Sequence, residues 1–168
     1  MKTEFRPARA EDVASIVDLL ADDPLGATRE TAQRPIDQRY LDAFKAIDAD
    51  PNNELLVAAR SGHILGVCQV TFIPSLTYTG SRRALIEGVR IGAEARSQGL
   101  GKAMVKFAIG RAHQRGCRLV QLATDKSRPA AKRFYQSLGF IDSHDGMKML
   151  LEPEAAAISG VTGSTPSL

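Results

Sequence analysis

Ala84-Leu85-Ile86-Glu87-Gly88-Val89-Arg90-Ile91, followed a short way on by Arg96-Ser97-Gln98-Gly99-Leu100-Gly101, is the stretch from which the rest of the chain can be placed. The first block is short, with β-branched residues at 86, 89 and 91, and it predicts a strand. After the second block, Leu100, Met104, Phe107, Ala108 and Ala112 recur at helical spacing, with Lys102, Lys106, Arg111 and Arg115 mostly on the other side. An amphipathic helix is expected there, stopped by Gly116. A strand, a glycine-bearing turn and a helix with a basic first turn make an anion site, because unpaired turn amides and the helix dipole converge on one point. Phosphate or pyrophosphate is the natural ligand. Gly99 and Gly101 keep Cβ atoms out of its way, and Arg96 and Lys102 add charge. The same glycines would also serve a plain tight connection.

Spacing narrows the choice. No Gly-Lys-Ser/Thr stands at Walker spacing, and the third glycine of the dinucleotide fingerprint is missing. The turn instead resembles the Arg/Gln-x-x-Gly-x-Gly/Ala turn of the GCN5-related N-acetyltransferase superfamily. Ala131-Lys132-Arg133-Phe134-Tyr135-Gln136-Ser137-Leu138-Gly139-Phe140 resembles the helix and strand that follow in that family. The resemblance spans roughly residues 3–151 and is strongest from 84 onward.

That resemblance implies a mixed α/β domain: a mostly antiparallel sheet with one parallel pair splayed around acetyl-CoA, flanked by helices. It implies acetyl transfer directly to a primary amine of a small molecule, such as an aminoglycoside-type antibiotic, a polyamine, an amino acid or an aminophosphonate. Cofactor contacts would fall on Val89, Arg90 and Ile91 of the strand and on Arg96, Ser97, Gln98, Gly99, Leu100, Gly101 and Lys102 of the turn. Lys126 and Arg128, ahead of the tyrosine helix, would reach a cofactor phosphate or stand in solvent. Many relatives have Asn where Arg128 stands, so the usual amide contact is missing. A non-catalytic acyl-CoA sensor is the alternative from another class. A homodimer is expected from the family's habit.

Acetyl transfer needs a neutral amine, a polarised carbonyl and a proton for the departing thiolate. By simple alternation Glu87 shares a face with Leu85, Val89 and Ile91, so its carboxylate projects from an apolar surface and suits a general base. A solvated strand glutamate is the plain alternative. Gly88 fits a bulge that frees backbone groups for the cofactor, or is small for packing. Tyr135 matches the family tyrosine near the CoA sulfur, as proton donor, or packs on Phe134. His144, in a late turn, meets the acceptor or is bonded locally. Asp22 and Asp23 would attract a cationic amine or simply end a helix, and Tyr40 and Phe72 would wall the pocket.

The remaining chain fits around this centre. Residues 3–7 predict a strand, 10–21 a helix, 35–47 a second helix, and 55–59 with 64–73 a hairpin turned at Ser61-Gly62-His63. Residues 77–83 read as a polar turn and 118–124 as a strand parallel to the central one. A helix begins at Pro129, and 140–143 with 147–151 form a last hairpin turned at His144-Asp145-Gly146. The 168 residues allow one domain, over 1–151, with 152–168 a tail too poor in apolar residues to build a core.

A hydrophobic content of 43%, no long apolar run and no leader-like start predict a cytoplasmic protein without a membrane span. Cys68 and Cys117 lack partners at metal-ligand spacing, so free buried thiols and no metal are expected. The net charge of +3 suits an anionic ligand or nucleic acid, but with no Trp and with acids interleaved there is no stacking platform for nucleic acid.

Overall fold

The structure, a computed structural model, describes residues 2–22, 26–149 and 151. In chain order it contains β1 (Glu4–Pro7), α1 (Val13–Ala21), α2 (Gln38–Ala49), β2 (Asn53–Arg60), β3 (His63–Pro74) and the one-turn α3 (Thr77–Gly80). Then follow β4 (Arg82–Ile91), α4 (Leu100–Gln114), β5 (Cys117–Leu122) and α5 (Pro129–Gln136). Short 3-10 turns, Ala10–Asp12 and Ala93–Ala95, precede α1 and α4. The strands form one five-stranded sheet in the order β1-β2-β3-β4-β5. Short connections make β2–β3 and β3–β4 antiparallel, β1 pairs antiparallel with β2 although α1 and α2 lie between them, and only β4 and β5 run parallel, joined through the α4 crossover.

Alternation along β2 and β3 divides the core in two. Leu56, Ala58, Cys68, Val70 and Phe72 face α4 and pack on Met104, Val105, Ala108 and Ala112. Val57 and Val67 face the other way, against Ile16 of α1 and Phe44 of α2. Phe72, Leu56 and Met104 are wholly buried, each contributing about 1.5–3 kcal/mol of hydrophobic stabilisation. Arg111 of α4 grips Glu54 of β2 at 2.6 and 2.7 Å, a bidentate pair that fixes the helix across the sheet.

Several boundaries differ from the sequence expectation, each for a local reason. Helix α1 begins at Val13 because the preceding residues form a 3-10 turn around Asp12, whose carboxylate accepts from Arg6 at 2.7 and 3.1 Å and from the Arg9 amide at 2.8 Å. Helix α2 starts at Gln38, not at residue 35, because Asp37 is the capping residue and accepts from the Arg39 amide at 2.9 Å.

Among the described residues the expected last hairpin does not form: 141–149 make no strand, and β5 is the last strand of the sheet. That segment is instead tied back by ion pairs of Asp142 with Lys132 and of Asp145 with Lys126, leaving Ile141, Met147 and Met149 exposed. Leu150 and the tail, 152–168, lie outside the described residues. Both cysteines are free, Cys68 buried and Cys117 half-buried.

Candidate active site

The site begins where β4 loses its parallel neighbour. Pairing with β5 runs from Arg82 opposite Cys117 to Ile86 opposite Leu122, yet β4 continues to Ile91 on β3 alone. Residues 87–91 therefore border a gap in the sheet. In the same place Arg90 stands opposite Val67 and Glu87 opposite Gln69, so Gly88 and Val89 share the single partner Cys68. This is a bulge, and Gly88 holds φ +60°, a left-handed conformation that glycine adopts without penalty.

The extra residue shifts the alternation, which corrects the expected placement of Glu87. Val89 and Ile91 pack with Ala84 and Ile86 on the α4 face, whereas Glu87 lies on the opposite side and is exposed. Its carboxylate does not project from the apolar surface that simple alternation predicts. Arg90 curls back so that Nη1 donates to the Val89 carbonyl at 2.9 Å.

The turn leading into α4 is built from left-handed steps at Ser97 (φ +61°) and Gly99 (φ +79°). Gly99 is the N-cap and offers no side chain, and the first helical bond runs from the Ala103 amide to the Gly99 carbonyl at 3.1 Å. The amides of Leu100, Gly101 and Lys102 thus precede the first helical bond and point out of the helix end. That end fits a phosphate-class anion. The two glycines differ in role: at Gly99 a Cβ would meet nothing, so backbone conformation is the constraint. At Gly101 a Cβ would lie in ordinary contact, 3.6 Å from Ile91 and Phe134, so the packing of α4 on β4 and α5 leaves room for one.

Arg96 is held on one edge: Nε donates to the Ile91 carbonyl at 2.9 Å, and Nη2 to the Asp22 carbonyl at 3.1 Å and its carboxylate at 2.8 Å. Gln98 is folded back on the Glu94 carbonyl, and Lys102 is exposed.

Across the gap, α5 lays Phe134 and Tyr135 on the α4-side core, with Leu138 from the turn that follows it. Tyr135 meets Phe134 and Phe140 edge-on, with centroids 5.1 and 5.9 Å apart. Burial pushes the Tyr135 hydroxyl above its ordinary 10.0, with Arg128 and Arg90 pulling the other way, so it keeps its proton at neutral pH. Cys68, opposite the bulge, lies within electrostatic reach of the same hydroxyl. Its own thiol is pushed up to about 12 by burial and is inert as a nucleophile. Arg128 is the N-cap residue of α5, and exposed Lys126 reaches Asp145 at 3.8 Å.

The acceptor-side candidates do not converge as expected. Phe72 is not a pocket wall: it is fully buried in the core with the Arg115 guanidinium 4.7 Å above its ring. Tyr40 donates to Glu30 at 2.8 Å and accepts from the Thr31 amide at 3.0 Å, fastening the segment ahead of α2. His144 is exposed and shares a 2.8 Å hydrogen bond with Ser143. Asp23 lies outside the described residues.

Sequence reasoning missed Asp125, whose carboxyl is held below its ordinary range by Ser127 and, at longer reach, by Arg29 and Lys148. The Asp-x-Ser spacing signals that local turn, but nothing local signals the distant cations. A separate cavity bounded by Arg60, His63, Glu94 and Gln98 shares neither Glu87 nor Tyr135. Among the described residues no His, Cys, Asp and Glu group is arranged to hold a metal, and no helix is long and apolar enough to cross a membrane.

Comparison with known proteins agrees with this geometry. Residues 14–140 match the model of the Acetyltransferase (GNAT) family. An aminoalkylphosphonate N-acetyltransferase of Salmonella typhimurium strain LT2 is 28% identical over 145 residues, covering 84% of this chain and 86% of that protein. A Bacillus halodurans C-125 protein described as a transcriptional regulator is 51% identical with a TM-score of 0.87, over 89% of this chain and 100% of that one. An Agrobacterium tumefaciens C58 protein, provisionally named an acetyltransferase, is 26% identical with a TM-score of 0.79, over 88% and 99% of the two chains. With its parallel pair parted beside a helix N-terminus and the family model matched over residues 14–140, from α1 through α5, this chain belongs to the GNAT acetyltransferase family.

Proposed function

We propose that the protein is an acetyl-CoA-dependent N-acetyltransferase acting on a primary amine of a small molecule. The observation that carries this reading is the gap at residues 87–91, bordered by the uncapped α4 end on one side and by Tyr135 on the other. The amides of residues 98–102 would hold the pyrophosphate, and the free β4 edge at Val89, Arg90 and Ile91 would pair with the pantetheine arm. Acetyl-CoA supplies the acetyl group as a thioester. Tyr135, kept protonated by burial, gives its proton to the departing sulfur in this reading. Glu87, exposed on the opposite face of the same strand, takes the proton of the attacking amine, directly or through water.

An amine that also carries an oxyanion is the acceptor class favoured by the relative that acts on aminoalkylphosphonates. Arg29 and Lys148, whose charges are felt at Asp125, suit such a group. Aminoglycosides, polyamines and amino acids form the rest of the panel. Thiol release should be steady with one or more of these amines and should fall at least tenfold in Glu87→Gln and in Tyr135→Phe. The relative described as a transcriptional regulator favours a second reading, a non-catalytic acyl-CoA sensor. That reading requires CoA binding with no turnover over the whole panel.

The domain is taken as 1–151, with 152–168 a tail, in a cytoplasmic homodimer. Exposed Ile141, Met147, Met149 and Leu151 support assembly. A monomer mass by light scattering at micromolar protein would refute the dimer.

A further inference from the structure

Asp22 closes α1 and opens the segment leading to α2, while Arg96 stands where β4 gives way to the α4 turn. Their ion pair at 2.8 Å joins stretches that are 74 residues apart in sequence. The side chains are 50% and 49% exposed, and pairs of that kind contribute little. A phosphate-class anion at the α4 N-terminus offers the same guanidinium a stronger, charge-assisted acceptor. The Nε bond to the Ile91 carbonyl is independent of Asp22 and keeps Arg96 beside the turn while Nη2 changes partner.

We propose that Asp22 is a positioning residue that couples the cofactor turn to the α1–α2 segment, by holding Arg96 until a pyrophosphate takes over its Nη2 donors. This inference rests on the reading of the turn as the cofactor site. A fixed brace, with Asp22 orienting Arg96 toward the anion, is the competing arrangement, and it predicts the opposite sign.

Calorimetry with CoA on the full chain separates the two. Removing the competing carboxylate in Asp22→Asn should tighten CoA binding about two- to fivefold at low salt. Asp22→Ser should act in the same direction. In an Arg96→Ala background, where CoA binding is already weakened about ten- to hundredfold, Asp22→Asn should change nothing. A merely structural Asp22 would move the melting temperature and leave no such coupling. Unchanged or weaker CoA binding in Asp22→Asn overturns the proposal while leaving the cofactor site intact. Wild-type protein that binds no CoA overturns both.

Discussion

Tyr135 joins a hydroxyl that keeps its proton to a place beside the gap in the sheet. Burial raises its pKa above the ordinary 10.0, so any loss of rate caused by its ionisation should come at higher pH than for a free phenol. Tyr135→Phe should lower kcat about ten- to hundredfold with the acetyl-CoA KM little changed, because the ring packing stays and only the proton is lost. Steady-state kinetics between pH 6 and pH 10 would check both points.

At Gly99 the constraint is φ +79° and not space, so the size of a replacement matters less than its backbone preference. Gly99→Val should cost roughly 1–3 kcal/mol and displace the amides that follow, weakening acetyl-CoA binding. Gly99→Asn, which tolerates the left-handed region, should cost far less. Melting temperature and affinity measured together decide this. If Gly99→Val stays folded and binds normally, the turn is not the cofactor site. The glycine turn ahead of α4 was legible from residue types, whereas Tyr135 was singled out only through its resemblance to the family tyrosine. The face taken by Glu87 was not legible, because a bulge is a property of pairing with β3 and leaves only a lone Gly88 in the sequence.

Among the elements, the opening of α1 depends on Asp12, buried and bonded twice to Arg6 and once to the Arg9 amide. The Arg6 bonds hold its carboxyl below the ordinary 3.8. A depressed folded value means stabilisation that is complete above the unfolded value and lost as pH falls through the folded one. Asp12→Asn should therefore cost roughly 2–3 kcal/mol at pH 7 and progressively less below pH 4, as read by denaturant titration at both pH values. A pH-independent difference would show that shape alone holds the turn.

Helical periodicity placed α4 with its buried Leu100, Met104, Ala108 and Ala112, since a long amphipathic element declares itself. The last hairpin was misjudged because Met147, Met149 and Leu151 carry a strand's alternation. Whether such a segment pairs depends on which strand edge it meets, which no local pattern shows.

For the molecule as a whole, ligand and fold are linked through the gap at β4. Acetyl-CoA at a hundredfold excess over its Kd should stabilise the protein by about 2.7 kcal/mol. For a domain of this size that raises Tm by roughly 5–10 °C. An unshifted thermal scan with saturating acetyl-CoA would contradict the cofactor reading. The β2–β3–β4 meander and the parallel crossover to β5 were readable from connection lengths, whereas the place of β1 and the sides of the sheet taken by β2 and β3 residues came only from the pairing. Long-range ties such as Asp22 with Arg96 were not readable either, because charge pairs at that separation have no local signature.

The bulge at Gly88 also gives β4 two reading frames. Odd-numbered positions before it and even-numbered ones after it look toward α1, so a residue's parity means opposite things in the two halves. Deleting Gly88 would merge the frames, turning Arg90 toward the α4 core and Val89 and Ile91 out to the other side. The strand's length is therefore as tightly fixed as its composition, and substitutions should be tolerated on either half far more readily than the loss of one residue between them.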